Sequence, residues 1–391
     1  MRILALSTTD LLKSAHSRQH QLVDFLSEKH EMTVFCLNAW WLKKEDGSPL
    51  YRHTYNKNVD IRYFSRREIN PAWQEVELSA RFYMHLDPAL LEYDVFVNFD
   101  SLISGFTLAR KLKRKGKAVV FDVDDDLPEM IRTSASVPFY LRPVGRAIGA
   151  RRLVEGASDA DRIVCVIDSL RNSYGLPSEK SVEIPNGVDT RLFRHIDSTP
   201  RHELDLDGVF VIGYSGVLRE WVDLEPIFLA LRQSEDMRLL VIGEEGFFRE
   251  NVELSKRHGV ESKVLFTGTV PFGELPRYIS VCDACVIPFR RNEVTTNAVP
   301  LKLFEYLACE KPVISTPIYG VRRFVGDRIK YYSDSRELLT QIGHLRKEEK
   351  HRLELGIEGR RFVESNYSWN VLCQRFEDVL IDAVSRRQDW T

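Results

Sequence analysis

The stretch Ile184-Pro-Asn-Gly-Val-Asp189 divides the sequence into two parts that share one pattern. Pro185 and the Asn186-Gly187 pair end an extended run and turn the chain. On each side of this turn, short apolar runs rich in β-branched residues alternate with longer segments of helical period. Near-continuous apolar strands that alternate with helices are typical of parallel sheets covered on both faces. The sequence therefore predicts two consecutive doubly wound α/β units.

The predicted elements follow this alternation through both halves of the chain. In the first half the predicted strands are residues 2–6, 33–37, 60–64, 94–99, 118–123 and 162–167, and the predicted helices are 20–29, 104–114 and 147–157. In the second half the predicted strands are 209–214, 238–242, 263–266, 284–288 and 312–315, and the predicted helices are 224–232, 248–258, 274–281, 300–309 and 369–384.

The pattern divides the chain into three segments. We expect an N-terminal Rossmann-like domain over residues 1–185 and a C-terminal Rossmann-like domain over residues 186–368. Residues 369–391 are expected to form a closing amphipathic helix that packs back on the N-terminal domain. In open α/β sheets, ligands bind at the carboxyl ends of the strands, so a ligand site is expected there in each unit.

Composition excludes several classes of protein. The chain has 391 residues, of which 43% are hydrophobic and 29% charged, so disorder, a collagen-like repeat and a small disulfide scaffold are ruled out. Lys and Arg number 55 against 57 Asp and Glu, so no polyanion-binding surface covers the whole chain, and we expect no nucleic-acid partner. No run approaches the ~20 apolar residues of a membrane span, and no signal segment is recognisable, which predicts a cytoplasmic protein.

The positions of the cysteines favour a role in the apolar core over a metal-binding or redox role. Six are scattered along the chain, mostly inside apolar runs. Cys282 and Cys285 have the spacing of a metal or redox pair, but neither a second pair nor a His cluster follows them. The sequence therefore favours a structural interpretation of this pair, and no metal site is predicted.

Two constellations in the second half suit an anionic ligand. Gly213-Tyr-Ser-Gly216 follows a predicted strand, and glycines there let the backbone approach a phosphate, although glycine at such turns also serves packing. Lys302 lies in the first turn of a predicted helix, three residues before Glu305. The helix dipole disfavours a cation in the first turn. An anionic ligand would explain that lysine. The alternative is an exposed Lys–Glu pair worth ~0.2–0.5 kcal/mol.

Two constellations in the first half are charged. Asp122-Val-Asp-Asp-Asp126 ends a predicted strand, and such a carboxylate cluster needs a cation or hydrogen-bond donors nearby unless it is a solvated loop. The segment 110–152 holds eleven Lys or Arg against five Asp or Glu, interleaved with apolar residues. It is either a solvated helix face or a surface that lies on anionic lipid headgroups, which would place the protein at the inner face of the plasma membrane.

Together these pieces resemble the GT-B glycosyltransferases of family 4, which are retaining enzymes that use nucleotide sugars. The resemblance rests on Ile184-Pro-Asn-Gly-Val-Asp-Thr-Arg-Leu-Phe193, on Leu239-Leu-Val-Ile-Gly243 and on Lys302-Leu-Phe-Glu-Tyr306. It covers the second half almost completely and the first half mainly through its strand pattern. It implies two Rossmann-like domains that face a central cleft, with the acceptor on the N-terminal domain, residues 1–185, and the nucleotide sugar on the C-terminal domain, residues 186–368.

Carried over to this sequence, the resemblance implies a set of nucleotide-binding residues. Glu305 matches the second Glu of the family's paired-Glu motif and would accept hydrogen bonds from the ribose hydroxyls. Lys302 stands where a variant of that motif contacts the diphosphate and would stabilise the leaving nucleotide. The turn at Gly216 would admit the phosphates. The nucleobase would meet the segments that contain Gly243, Glu244, Thr269 and Val270.

The sequence departs from the family pattern at several positions. The family's usual Arg and Lys after the first strand of the second unit fall on Val217 and Val222. The first Glu of the pair falls on Asn297, which can bond a sugar hydroxyl without a charge, and a His common in the first unit is replaced by Asp122. The candidates to replace the missing diphosphate cations are Arg219, Arg290 and Arg291.

The resemblance implies transfer of a sugar from a UDP- or GDP-sugar to a hydroxyl of a glycan or lipid-linked acceptor, in surface polysaccharide or glycoconjugate synthesis. It implies neither a protein nucleophile nor a metal or other cofactor. The residues expected to act on the reacting sugars are Asp122, Asp125, Asn297 and Lys302. Two alternatives remain at this stage, namely a nucleotide-sugar epimerase of the same fold and a non-catalytic partner protein on a transferase scaffold.

Overall fold

The computed structural model describes residues 1–43, 49, 51–99, 103–133, 137–197 and 201–388, without the side chain of residue 388. The chain divides into two compact units. The first unit is Met1–Pro185 together with Asn370–Thr391, and the second unit is Asn186–Trp369.

The first unit is built on a parallel sheet. Among its described residues the strands are β1 Arg2–Ser7, β2 Glu31–Cys36, β3 Val59–Tyr63, β4 Val95–Phe99, β5 Ala118–Val123, β6 Arg162–Cys165 and β7 Ser181–Glu183. Their order across the sheet is β3-β2-β1-β4-β5-β6-β7, and every pair is parallel. Strands β1, β4 and β5 are buried along nearly their whole length because helices cover both faces.

The second unit repeats this plan with a second parallel sheet. In the part of this unit that the structure describes, the strands are β8 Phe210–Ser215, β9 Met237–Ile242, β10 Val264–Phe266, β11 Ala284–Ile287, β12 Val313–Ser315 and β13 Lys330–Tyr331. Their order is β10-β9-β8-β11-β12-β13. The strand order reverses between β8 and β11, so a crevice opens at the carboxyl ends of these two strands.

Helices connect the strands in both units. In the first unit they are α1 Arg18–Ser27, α2 Pro71–Met84, α3 Ser104–Arg114, α4 Leu127–Thr133, α5 Arg142–Asp159 and α6 Asp168–Ser173. In the second unit they are α7 Glu225–Leu231, α8 Phe248–Arg257, α9 Leu275–Val281, α10 Glu293–Thr296, α11 Leu301–Ala308, α12 Tyr319–Val325, α13 Ser335–Lys347 and α14 Glu349–Asn366. The last helix, α15, covers Trp369–Gln388.

The predicted fold class of two doubly wound α/β units is confirmed. Every predicted strand is present within a few residues of its predicted bounds. The short edge strands β7 and β13 were not predicted, because a strand of two or three residues is too short to show a hydrophobic pattern. Helix α2 was not predicted either, since apolar residues lie on both its buried and its exposed faces and blur the helical period.

Helix α15 packs on the first unit from Asn370 onward. Phe376 is fully buried, and its ring stacks on that of Phe99 with 6.1 Å between the centroids. Glu377 accepts hydrogen bonds from Lys29 at 2.8 Å and from the imidazole of His30 at 2.7 Å. The helix therefore adds both an apolar and a charged contact to this unit.

In the described part of the chain no helix combines the length and the hydropathy that a membrane span requires.

We expect Phe376→Ala to lower the free energy of unfolding of the first unit by about 3–5 kcal/mol, because it removes a buried ring and leaves a cavity. Urea unfolding followed by circular dichroism measures this loss. The matched control is Val371→Ala on the exposed side of the same helix. Equal losses in both variants would show that α15 does not depend on this buried contact.

Candidate functional site

Helix α11 of the second unit is held against the end of β8 by hydrogen bonds. The backbone N–H of Ser215 donates to the Tyr306 hydroxyl oxygen at 2.7 Å, and the Ser215 hydroxyl donates to it at 3.1 Å. Both residues are buried. Because Tyr306 lies in the second turn of α11, these bonds fix the start of the helix beside the carboxyl end of β8.

The Lys302 ammonium lies at that carboxyl end. Its Nζ is 3.9 Å from the centroid of the Tyr214 ring and 5.8 Å from that of Phe289. A Cβ atom placed on Gly216 would come within 3.0 Å of Nζ, so the lysine rests against the glycine backbone. The structure therefore brings together Gly216 and Lys302, which the sequence placed in two separate constellations.

Lys302 and Glu305 have strongly shifted pKa values. Burial lowers the pKa of Lys302 to about 7, with Glu305 opposing the shift, and burial raises the pKa of Glu305 to about 7, with Lys302 opposing it. Within the described residues Lys302 forms no ion pair, and an aromatic ring is its close neighbour. The pair is therefore close to titration at neutral pH, and an anion bound at Lys302 would favour the ammonium form.

Glycine turns after three neighbouring strands meet beside Lys302. The N–H of Gly216 donates to the carbonyl of Ile242 at 2.8 Å. Gly243 has a φ of +137°, and a Cβ there would lie 2.7 Å from the carbonyl oxygen of Gly216. The turn at Gly268 packs instead against a side chain, because a Cβ there would lie 3.1 Å from the Glu244 carboxylate. Between the turns at Gly216 and Gly243 only bare backbone fits, so a ligand can approach it closely there.

Thr269 and Val270 follow β10 at the same edge of the sheet. The Thr269 hydroxyl is buried and has no hydrogen-bond partner among the residues described here. A buried polar group left without a partner costs about 1–3 kcal/mol, so a ligand or water that bonds this hydroxyl would recover that free energy. Val270, the next residue, is partly buried.

A valine and two arginines decide which positive charges could accompany Lys302. Val222 is buried and pairs through its backbone with Phe289, and a charge there would be desolvated. Burial raises the pKa of Tyr214, and the positive charge of Arg219 opposes that rise. The Arg290 Nε, in contrast, lies 3.4 Å from the Asp223 carboxylate. Of the two arginines, Arg290 is therefore the one already engaged by a carboxylate.

Asn297 ends α10 on the turn that leads to Pro300 and α11. A Cβ on Gly320 of α12 would lie 2.2 Å from the Ala298 carbonyl oxygen, so α12 packs directly on this turn. Asn297 itself keeps part of its surface exposed. The close packing fixes the backbone that carries Asn297, five residues before Lys302.

In the first unit, Asp122 forms a buried ion pair with Arg18. The Arg18 Nε lies 2.9 Å from one carboxylate oxygen of Asp122, and Nη2 lies 3.0 Å from the other. The third guanidinium nitrogen donates to the Pro185 carbonyl at 3.0 Å. Both side chains are almost completely buried, and both carboxylate oxygens are engaged. This geometry suits a positioning role for Asp122, and removing one partner of such a pair typically costs about 3–5 kcal/mol.

The remaining carboxylates of the predicted cluster have separate partners. Gln19 donates to Asp124 at 2.7 Å, and the Tyr174 hydroxyl donates to Asp126. Burial raises the pKa of Asp124, while Arg18 and Gln19 act in the opposite direction. Asp125 is the exposed member of the cluster. The described residues contain no group of three His, Cys, Asp or Glu side chains with the geometry of a metal site.

Three histidine rings that were not predicted from the sequence, His16, His20 and His53, lie close together in the first unit. The ring centroid of His20 is 5.0 Å from that of His16 and 4.2 Å from that of His53. The His20 ring is buried, its Nδ1 is 3.1 Å from the N–H of Ser17, and its Nε2 has no hydrogen-bond partner in the described residues. Burial and the neighbouring imidazoles lower the pKa of His20 to about 2 and that of His16 to about 3.

Cys282 and Cys285 pack against a strand. A Cβ on Gly213 would lie 2.4 Å from the Cys282 sulfur and 3.3 Å from that of Cys285. Both thiols are buried and free, and burial raises the pKa of Cys285. Gly213 therefore makes room for the two cysteines within the sheet packing.

Sequence reasoning also missed Arg18, Tyr214 and Tyr306. Arg18 meets Asp122 across 104 residues of chain, a contact without any local spacing signal. Tyr306 follows Glu305 directly in the motif, but a tyrosine in an apolar helical stripe is indistinguishable from a core residue. The only sequence signal for Tyr214 was its position between Gly213 and Gly216.

Most of the second unit is similar to a known protein family. Residues 211–348 match the family model of the glycosyl transferases group 1. The chain is 26% identical over 234 residues to the putative teichuronic acid biosynthesis glycosyltransferase TuaH of Bacillus subtilis, a match that covers 54% of this chain and 55% of TuaH. The chain thus spans about half the length of that relative.

A second relative and a solved structure extend the similarity. The chain is 24% identical over 300 residues to the GDP-mannose-dependent alpha-(1-6)-phosphatidylinositol monomannoside mannosyltransferase of Mycolicibacterium smegmatis, covering 66% of this chain and 78% of that protein. The crystal structure of Anabaena Alr3699/HepE in complex with UDP and glucose superposes with a TM-score of 0.75 at 17% identity, covering 98% of this chain and all of that one. The GT-B fold and the glycosyltransferase resemblance predicted from the sequence are confirmed.

We expect the free energy of unfolding to fall as the pH drops below 6.5. The folded first unit keeps His16 and His20 neutral, whereas the unfolded chain takes up protons near the ordinary imidazole pKa of 6.5. The stability contributed by the neutral rings is therefore complete above pH 6.5 and is lost toward pH 3. Each ring contributes a slope of about 1.4 kcal/mol per pH unit, or about 2 kcal/mol by pH 5.

Urea unfolding at pH 7 and pH 5 measures this loss. The double variant His16→Gln/His20→Asn should show a smaller difference between the two pH values than the parent chain. His202→Gln, which changes an exposed histidine, is the control and should retain the full difference. An unchanged difference in the double variant would contradict this assignment.

Proposed function

We propose that this protein is a glycosyltransferase that moves a sugar from a nucleotide diphosphate sugar to an acceptor hydroxyl, and that its second unit holds the nucleotide. The observation that carries the proposal is the placement of the Lys302 ammonium against the backbone of Gly216, one helical turn from Glu305. One cation and one carboxylate beside a bare glycine turn suit a ligand that has phosphates at one end and sugar hydroxyls at the other.

The diphosphate would contact Lys302. Burial makes the ammonium form of this lysine unfavourable in the free protein, and a doubly charged diphosphate would restore it. The glycine turns offer backbone to the same phosphates without a side chain in between. Arg219 is the further cation that we assign to the diphosphate, in place of the family residues replaced by Val217 and Val222.

The nucleoside would occupy the neighbouring positions along the sheet edge. The Glu305 carboxylate can accept hydrogen bonds from two vicinal ribose hydroxyls, and such donors would favour its ionised form. The unpartnered Thr269 hydroxyl and the backbone of Val270 and Gly243 are then available to the base. The donor is a UDP- or GDP-sugar. The relatives and neighbours include a protein named for GDP-mannose and a structure that contains UDP.

The transfer proceeds with retained configuration and without a protein nucleophile. The bond between the anomeric carbon and the diphosphate oxygen breaks while the acceptor oxygen bonds to that carbon from the same face. The proton of the acceptor hydroxyl passes to the departing phosphate oxygen. Lys302 stabilises the charge that develops on that oxygen, and Asn297 bonds a hydroxyl of the donor sugar. No metal or other cofactor takes part in this scheme.

The first unit would bind the acceptor. The Arg18–Asp122 pair joins β5, α1 and Pro185, and so fixes the carboxyl edge of this sheet. Asp125 projects from that edge with an exposed side chain and is the residue that we assign to acceptor hydroxyls. The acceptor is a glycan or a lipid-linked glycan. The Bacillus relative is named for teichuronic acid biosynthesis and the Mycolicibacterium relative for a phosphatidylinositol mannoside.

We expect Lys302→Ala and Glu305→Ala each to reduce transfer by roughly 10²–10³-fold, because each removes a charged contact to the donor. Release of nucleotide diphosphate in the presence of acceptor measures the rate, and calorimetry measures nucleotide binding. The matched control is the exposed pair Lys256 and Glu253, which has the same i,i+3 spacing on α8. Alanine at either control position should leave transfer unchanged.

Near-normal transfer in both site variants would contradict the proposed site. Two other outcomes would replace the proposed activity. If NMR shows that the protein isomerises a nucleotide sugar in the absence of an acceptor, the protein is an epimerase. Absence of nucleotide-sugar binding in the parent chain would indicate a non-catalytic protein.

We expect nucleotide affinity in Glu305→Gln to fall as the pH rises above about 7. Without Glu305 the Lys302 ammonium loses its proton near or below that pH, and the loss of affinity can approach tenfold per pH unit. In the parent chain the charge of Glu305 raises the pKa of Lys302, so the same fall in affinity should begin at a higher pH than in the variant. Calorimetric titration with UDP or GDP at several pH values measures both.

The double variant Glu305→Gln/Lys302→Arg is the control for this pH dependence. A guanidinium stays protonated at every pH used, so its affinity should not change with pH. A pH dependence that persists in the double variant would show that another group titrates.

A further inference from the structure

A groove of about 940 Å³ lies beside the edge strand of the first sheet, between β3 and α2. Its floor is apolar. The rings of Phe35 on β2 and Phe82 on α2 meet edge to face there, with 5.8 Å between their centroids, and Leu78 and Leu90 are buried beside them. The volume is in the range of ligand pockets, about 300–1,000 Å³. We call this cavity the β3–α2 groove.

Three arginines bring unpaired positive charge to the groove. Arg66 and Arg67 follow the carboxyl end of β3 and are exposed. Arg81 projects from α2 and donates a hydrogen bond to the carbonyl of Phe64, which holds its guanidinium near the same end of β3. None of the three forms an ion pair with any residue that the structure describes. Most of their N–H donors are therefore available to a ligand.

The carboxylates of the groove already have partners within the protein. They are Asp60, Glu77 and Asp87. Asp60 pairs with Arg62 at 2.7 Å, Glu77 accepts a hydrogen bond from the Ser65 hydroxyl at 3.0 Å, and Asp87 accepts one from the N–H of Ala89 at 3.0 Å. Of these, Glu77 alone lies near the three unpaired arginines, because Ser65 directly precedes Arg66. That end of the groove therefore carries an excess of positive charge.

This arrangement suits an anionic ligand. A guanidinium forms two parallel hydrogen bonds to a carboxylate or a phosphate, and such charged hydrogen bonds are among the strongest in proteins. One small anion would fill only part of the groove. An extended ligand that carries several anionic groups matches both its volume and its spread of arginines.

The basic end of the groove lies at the edge of the sheet to which we assign the acceptor. All strands of this sheet are parallel, so the residues that follow β3 and the Asp125 side chain that follows β5 share the carboxyl edge. In the strand order β3-β2-β1-β4-β5, four strand spacings separate the two strands, or roughly 19 Å. A glycan chain whose terminal hydroxyl lies at Asp125 would reach the groove with sugars several units behind its reacting end.

We propose that the β3–α2 groove binds the anionic part of the acceptor glycan, with carboxylates or phosphates of its sugars against Arg66, Arg67 and Arg81. The acceptor is thus an acidic glycan that is several sugars long. This assignment rests on the proposed function, because it names the class of acceptor for that reaction. Binding of the acidic chain itself requires no nucleotide sugar.

Calorimetry with the full chain tests the groove. Hexagalacturonate supplies carboxylates and a phosphorylated mannohexaose supplies phosphates; at least one of them should bind, and less tightly in high salt because the charges are screened. Maltohexaose, which has the same length and no charge, should bind at least roughly tenfold more weakly. Arg66→Gln/Arg67→Gln and Arg81→Gln should each lower the affinity for the acidic chain roughly tenfold or more, because each removes charged hydrogen bonds.

Matched controls separate this result from a general loss of surface charge. Arg336→Gln/Arg361→Gln removes two exposed arginines of the second unit that form no ion pair with the described residues, and it should bind like the parent chain. Arg81→Lys keeps the charge and should retain more affinity than Arg81→Gln. Thermal melting confirms that each variant is folded, and Arg66→Gln/Arg67→Gln decides the test if Arg81→Gln is not.

Inhibition of transfer tests whether the groove belongs to the acceptor. The acidic hexasaccharide that binds should compete with the acceptor in the parent chain, and Arg66→Gln/Arg67→Gln should relieve this inhibition. Its disaccharide counterpart is too short to reach Asp125 from the groove, so it should bind without inhibiting transfer.

Four outcomes would overturn the proposal: no binding of either acidic hexasaccharide, equal binding of maltohexaose, equal losses in the Arg336 and Arg361 control, or binding that never competes with the acceptor. Tighter binding of polyglutamate than of both acidic glycans would assign the groove to an acidic peptide instead. Intact binding of the acidic chain without any binding of UDP or GDP would contradict the proposed function and leave the groove as a glycan site.

Discussion

The hydrogen bonds from Ser215 to the Tyr306 hydroxyl are the constraint on which the candidate nucleotide site depends. They join the carboxyl end of β8 to the second turn of α11, and thereby place Lys302 over the Tyr214 ring and against Gly216. Lysine is a flexible side chain, so its position is set by what surrounds it. Here an aromatic face and a glycine backbone leave the ammonium partly desolvated, which accounts for its lowered pKa.

A comparable constraint operates in the first unit. The Arg18 guanidinium is shared between Asp122 at the end of β5 and the Pro185 carbonyl at the end of the unit. A planar donor with fixed geometry holds its partners in one arrangement. The carboxylates that follow Asp122 are then fixed by Gln19 and Tyr174, so the predicted repulsion within this cluster is relieved by separate donors. Asp125 is the exposed carboxylate at this edge.

Much of the fold was predictable because strand burial leaves a continuous apolar signal. The runs that became β1, β4, β5 and β8 are buried along almost their whole length and are therefore mostly apolar. Helix α14 shows the limit of this reasoning. It packs on α11 through Gly359, where a Cβ would lie 2.8 Å from a Leu307 methyl, and a glycine contact contributes nothing to hydrophobic periodicity. Helix α2 was missed because several of its apolar residues are exposed.

By itself the sequence determined the two-unit α/β pattern, the glycine turns and the pair Lys302 and Glu305, because each of these is encoded in local spacing and composition. Only the tertiary structure decided what those residues touch. Arg18 meets Asp122 and Tyr306 meets Ser215 across 104 and 91 residues of chain. Contacts over such separations depend on how strands and helices pack, and no local pattern in a single sequence carries that information.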